Sequence, residues 1–170
     1  TYGGLLLNNS AKLKQTFEAF KEIIKFLFEN GIQKLEVRLI PPFYNKLPSD
    51  ELEYLFFKAA AKLIKRDVVL LIDYHYQLPF QKNRREGINK SKRKNLVIKT
   101  DDNFDLFWNE VLIPNLSSKY NTVPVHSLKE IKYLASKFPN RIRQVNIYQE
   151  NTIVAGTTVF LTDQVVHPQY

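Results

Sequence analysis

The feature that most narrows what this chain can fold into is its last thirty residues, 141–170, which read RIRQVNIYQENTIVAGTTVFLTDQVVHPQY. Val145 and Ile147 alternate with polar neighbours, the period-2 signal of a half-buried strand. Gln149-Glu150-Asn151 supplies turn chemistry, and the Ile-, Val-, Thr- and Phe-rich run 152–161 predicts a central strand. Thr162-Asp163 predicts a second turn, after which residues 164–167 return. The expectation is a three-strand antiparallel meander. Gly156 is its odd member. A glycine inside a strand marks either a bulge or a place where another backbone or a ligand comes close, and the pattern alone leaves both open.

At 170 residues the chain is long enough to bury a core as one domain or two small ones. Its 44% apolar and 25% charged residues predict a folded, soluble protein. No run approaches bilayer-spanning length, so no membrane insertion is expected. Without cysteine there is no disulfide, thiolate metal site or cysteine nucleophile, a composition that suits a cytoplasmic protein. Methionine is absent even from position 1, which predicts a piece of a longer polypeptide. The net charge of +8 is concentrated. Lys82, Arg84, Arg85, Lys90, Lys92, Arg93 and Lys94 stand in one stretch against a single acid, Glu86.

Ahead of the meander, residues 1–7 open as a strand end. Ser10 is the expected cap of a first helix whose stripe is Leu13, Phe17, Phe20, Ile24 and Leu27, stopped at Asn30-Gly31. Leu35, Val37 and Leu39 alternate with charged residues as a strand should, ended by Pro41-Pro42. Ser49 and Asp50 open a second helix with Leu52, Leu55, Phe56, Ala59, Ala60 and Leu63 on its buried side. The apolar run 67–74 predicts a strand buried on both faces. After the basic stretch, residues 95–99 predict a short strand. Asp101 or Asp102 is the expected cap of a third helix carrying Phe104, Phe107, Trp108, Val111 and Leu112, and Pro114 should kink or end it. Ser127 and Glu130 form a capping box for a fourth helix with Leu128, Ile131 and Leu134 inward. The expected architecture is α/β (α+β), with residues 1–79 as one unit, 80–94 as a basic connector and 95–170 as a second unit.

Several chemistries find no motif. There is no Gly-x-Ser-x-Gly elbow, Walker-type phosphate loop or dinucleotide fingerprint, and His75, His126 and His167 lack metal-ligand spacing. Arg84-Arg85-Glu86-Gly87 begins like the pyrophosphate loop of acetyltransferases, but Asn89 stands where its second glycine belongs. The positive signal is the order of elements. Strand, two helices and a three-strand meander is the front half of the GNAT acyltransferase fold; strand, helix, strand, helix, strand is its back half, here placed first. The chain thus resembles the junction of a tandem, FemAB-like pair of GNAT domains. The resemblance rests on Tyr2-Gly3-Gly4, Arg66-Asp67, Arg85-x-Gly87-Ile88, Phe107-Trp108, Pro124-Val125-His126-Ser127-Leu128, Val154-Ala155-Gly156-Thr157 and His167-x-Gln169-Tyr170.

That resemblance implies a GNAT-like mixed sheet and transfer of an acyl group from a thioester such as acetyl-CoA or another acyl-CoA to an amine, for instance on an amino sugar or envelope precursor. It implies His167 and Tyr170 as catalytic candidates, with His126, Gln169 and Tyr2 against the acceptor. Ala155, Gly156 and Thr157 would form the splayed strand edge where the donor lies, their amides facing the developing oxyanion. No metal is implied. The family's phosphate-holding helix would follow Tyr170, so this piece is expected to fold without necessarily turning over. Tyr74-His75-Tyr76 could line a pocket, although half-buried surface residues are the commoner outcome at a strand end. The 82–94 cluster has three readings: a solvated connector, an attractor of donor phosphates, or a tRNA contact. The alternatives in function are accordingly an RNA-binding or scaffolding module and an aminoacyl-tRNA-dependent transferase.

Overall fold

The turn at Glu150-Asn151 sets the register of everything around it. In a computed structural model that describes residues 3–170, Glu150 adopts φ +55° and closes a two-residue hairpin between β2 (Ile142–Gln149) and β3 (Thr152–Leu161). Leu96–Lys99 (β1) pairs with the other edge of β2, and Val166–Pro168 (β4) with the other edge of β3. The result is a four-stranded, wholly antiparallel sheet in the order β1-β2-β3-β4. The meander is therefore as expected; together with the helices it makes a mixed helix-and-sheet fold.

The face that β2 buries is the unexpected part. Ile142, Gln144, Asn146 and Tyr148 point inward, while Val145 and Ile147 lie half-buried on the other face. Because strand side chains alternate, the choice of face is all or nothing for the strand. Two polar residues go inside because every polar group on them finds a partner. Thr158 Oγ1 donates to Gln144 Oε1 at 2.6 Å, and Gln144 Nε2 donates to Asn146 Oδ1 at 2.8 Å. Asn146 Nδ2 donates to Asp101 Oδ1 at 2.7 Å and to the Asn103 carbonyl at 3.2 Å. Tyr148 completes the chain with its hydroxyl 2.6 Å from Asp101 Oδ2. A fully connected buried network stabilises a fold that a half-connected one would weaken.

This use of Asp101 explains why neither it nor Asp102 caps the third helix. Asp102 accepts from Arg143 Nε and from the Gln144 amide at 2.9 Å. Asn103 is the cap instead, its Oδ1 accepting from Leu106 N at 3.1 Å. The helix begins at Phe104–Phe107 (α4), widens into a π-helical turn at Trp108–Leu112, and continues as Ile113–Tyr120 (α5). Pro114 does not end it. The Ile113 amide bonds back to the Trp108 carbonyl, five residues away, and this wider turn accommodates a residue with no donor of its own. Leu128–Lys137 (α6) starts at the expected capping box, with Ser127 Oγ accepting from Glu130 N at 3.3 Å and Glu130 Oε2 accepting from Ser127 N at 2.7 Å. Phe104, Phe107, Trp108, Ile131, Ile142, Tyr148 and Ile153 form the core between these helices and the sheet.

The chain makes two compact units, divided in sequence between Leu71 and Ile72, and the sheet belongs wholly to the second. Within the first, Leu13–Glu29 (α1) and Glu51–Lys58 (α2) pack through Phe20 and Phe56, whose rings meet edge-on at 5.8 Å, over a Leu55 that is 1% exposed. Ser10 does not cap α1. Its amide and hydroxyl are both held by Asn8 Oδ1 in a turn of its own, and the helix starts two residues later, with Gln15 Oε1 accepting from Lys12 N at 3.0 Å. Gly31, at φ +75°, stops α1 as expected. The second helix is shorter than its apolar pattern, because Ala60 turns to φ +52° and Ala61 N closes onto the Phe56 carbonyl; Leu63 is left exposed.

None of the three strands expected ahead of the basic stretch, at 1–7, 35–39 and 67–74, forms among the described residues. Residues 35–39 and 67–74 join no ladder, and among the described residues of the first unit there is no sheet. Val68 is 89% and Leu70 93% exposed, so the run read as buried on both faces is buried on neither. Apolar content makes a strand only where a neighbouring backbone completes its hydrogen bonds. What joins these segments is an Arg38–Asp67 ion pair at 3.1 Å, with Lys65 equally close to the same carboxyl group. Lys65 beside it holds the Asp67 carboxyl below its usual range.

Candidate functional site

The C-terminal tail does not simply extend β4. Gln169 N donates to the Thr158 carbonyl at 2.8 Å, while Thr158 N donates to the Tyr170 carbonyl at 3.2 Å. Two tail residues thus oppose one residue of β3, which is the arrangement of a bulge. The Tyr170 ring is turned onto Trp108, edge-on at 5.1 Å. Thr157 Oγ1 fastens the same residue by donating to its carbonyl at 2.6 Å.

From there the Tyr170 hydroxyl reaches across 44 residues to the loop before α6. The His126 backbone amide donates to it at 2.9 Å, and its oxygen lies 2.6 Å from His126 Nδ1. An oxygen that already accepts the amide proton satisfies its own proton best by donating to Nδ1. In that arrangement the neutral ring would carry its proton on Nε2 and offer it as a donor. Two of the sequence-predicted site residues, expected in separate roles, are therefore one hydrogen-bonded pair.

Beside this pair is a cleft of about 410 Å³, lined among others by Trp108, Ile113, Val123, His126, Ser127 and Glu130. Trp108 is 1% exposed, and its indole Nε1 has no hydrogen-bond partner. A buried donor without an acceptor is costly, and here that cost is carried by the core beside the cleft. Glu130 is a poor base. The Ser127 amide and hydroxyl both donate to it and, with lesser help from His126, hold its carboxyl below the usual range against the opposing effect of burial.

The remaining predicted residues sit elsewhere or differently. His167 pairs with Phe160 across the ladder, and its Nε2 lies 3.2 Å from Gln169 Oε1. Ala155 pairs with Ile147 and Gly156 with Asn146, so the strand is laddered to β2 at the glycine. The register shift falls one step away, where Val154 is the extra residue between the Ile147–Ala155 and Tyr148–Ile153 pairs. Gly156 is instead required by packing. A Cβ there would lie 2.6 Å from Phe107 Cδ2 and 2.8 Å from Asn146 Oδ1. Its inner face is closed by side chains rather than by the backbone or ligand that a strand glycine suggests. On the β4 side the ladder runs from Leu161 to Val159, with Thr158 bonded to the tail. By alternation the N–H and C=O of Gly156 face that same edge, beyond Tyr170. Tyr2 lies outside the described residues. Tyr74 and Tyr76 are exposed and His75 is held in a turn by Asp73.

The polar chain from Asp101 to Thr158 escaped the sequence reading, although the alternation of Gln144, Asn146 and Tyr148 was its signal. Burial raises the Asp101 carboxyl, but hydrogen bonds from Tyr148, the Asn103 amide and Asn146 outweigh it and hold the group below its ordinary 3.8. Tyr148 is pushed above 10.0, chiefly by the same bond. Among the described residues no cluster of three or more His, Asp or Glu is placed to hold a metal ion, and no helix is long and apolar enough to cross a membrane. No protein-family model matches the chain, and neither a curated protein nor a solved structure does.

Proposed function

We propose that the second unit carries an acyl-transfer site of the GNAT-like, FemAB-like kind, moving an acyl group from a thioester such as acyl-CoA to an amine. The observation that carries this reading is the His126–Tyr170 pair at the wall of a cleft that Trp108 also lines, an arrangement in which the paired imidazole would offer Nε2–H to a ligand. Donors arranged in advance stabilise the negative charge that grows on a carbonyl oxygen when an amine attacks it. The amine nitrogen bonds to the carbonyl carbon, the carbon–sulfur bond breaks, and the ammonium proton passes through water to the departing thiolate. Tyr170 is a positioning residue, acting through His126. The open edge of β3 at Gly156 lies beyond the Thr158–Tyr170 hydrogen bond and suits the donor's extended amide portion.

Trp108 is the sole tryptophan, so its fluorescence reports on the cleft directly. Titration with a short acyl thioester is expected to change that emission, and thiol release over a panel of amines should follow. Loss of one oxyanion donor costs about a hundred- to a thousandfold in kcat. His126→Ala should show that loss with little change in KM, and Tyr170→Phe a smaller part of it. Unchanged fluorescence together with no thiol release would refute the reading.

A further inference from the structure

Eight of the lysines and arginines are drawn into ion pairs. Lys21, Lys25, Lys34, Arg38, Lys65, Lys132, Arg141 and Arg143 each lie within ion-pair distance of a carboxylate. None of the seven cations between positions 82 and 94 does so among the described residues. They lie on and just after Lys82–Lys92 (α3), a helix that buries none of its residues. A helix polar on all sides gains little from its own fold by being there, and its unneutralised charge raises the local potential toward anions.

The helix also carries a shaped surface. Arg85 Nε donates to the Phe80 carbonyl at 3.1 Å, which ties that residue to the first turn. Phe80, 63% exposed, then forms one wall of a furrow of about 330 Å³ that continues past Asn83, Arg84, Gly87, Ile88 and Ser91. A Cβ at Gly87 would meet nothing within 4 Å, so its side of the furrow is open to close approach by a flat group.

We infer that Phe80 and α3 form a binding surface for single-stranded RNA. Phosphates would lie along the unpaired lysines and arginines, and a base would stack on Phe80 above Gly87. Single-strand binding joins those two elements, cationic tracking of the backbone and aromatic stacking. Asn83 and Ser91 offer polar atoms to a ribose 2′-hydroxyl, the group that separates RNA from DNA. An anionic membrane fits less well. Ile88 is the one large apolar side chain on α3, so the helix has no apolar face to sink into lipid. This inference does not rest on the acyl-transfer reading.

The test is fluorescence anisotropy with a labelled twelve-nucleotide oligouridylate, repeated across salt concentrations. Binding should weaken steeply with salt. Changing Lys92, Arg93 and Lys94 together to Gln should lower the log–log slope by about 2. Phe80→Ala should weaken binding roughly tenfold while leaving the slope unchanged. An oligothymidylate of equal length should bind more weakly. All these residues are exposed, and unaltered far-UV circular dichroism of the variants would confirm that folding is not the cause. Binding that is insensitive to salt or to both substitutions overturns the inference. So does equal affinity for the DNA strand, or attachment to phosphatidylserine vesicles without attachment to RNA.

Discussion

The two units handle apolar sequence in opposite ways. In the second, β2 puts Gln144 and Asn146 inside and leaves Val145 and Ile147 half-buried on the opposite face. In the first, the run 67–71 carries more continuous apolar character than any strand of the sheet, yet joins no ladder. Hydrophobicity therefore does not decide strand formation here; the completion of polar groups does. Backbone amides need a neighbouring strand, and buried side-chain amides need a closed set of partners. The second unit supplies both, through the Glu150 hairpin and the Asp101 carboxylate.

That contrast can be broken by substitution. The largest effect should come from Ile131→Ala, which empties a fully buried position facing the sheet; about 2–5 kcal/mol of stability should be lost in urea unfolding. Gly156→Ala should cost about 1–3 kcal/mol by the same measurement, since the added methyl meets the Phe107 ring and the Asn146 amide, both held in the core. A loss near zero would mean that β3 and α4 can separate freely.

Asp101 sharpens the comparison through pH. Its folded-state carboxyl is held below 3.8, so its contribution is fully present above that value and drains away as pH falls through the lower folded value. Asp101→Asn should flatten this acid limb of the stability profile. Tyr148 works in the other direction. Its contribution is present below 10.0 and lost as pH rises through the higher folded value, so Tyr148→Phe should remove an alkaline limb. The smallest effect is expected at Leu70→Ala, within about 0.5 kcal/mol, because the side chain it shortens is 93% exposed. A large loss there would show that the run is buried in the folded protein.

Some local signals were legible in the sequence, although Ser10, held by Asn8, was not the cap it looked like. The Ser127–Glu130 box, the Gly31 stop and the turns of the meander were among those legible. Signals that depended on distant partners were not. Asp101 and Asp102 look like helix caps until β2, more than forty residues on, claims their carboxylates and leaves the cap to Asn103. Pro114 is a local signal that misleads, because the helix runs on past it through a widened turn. In the site, His126 and Tyr170 could be named singly, yet their bond depends on a tail bulge that no periodicity announces. At Gly156 the expected neighbour was another backbone or a ligand, whereas the groups that crowd it are the side chains of Phe107 and Asn146.

The claim on which the site depends is that Tyr170 fixes the His126 tautomer and so turns the imidazole into a donor toward the cleft. Nitrogen-15 NMR of the histidine side chains at neutral pH measures this directly. The account predicts a proton on Nε2 and a bare Nδ1 in the native protein, with the two tautomers mixing in Tyr170→Phe. A proton resident on Nδ1, or a spectrum indifferent to the loss of the hydroxyl, would contradict it.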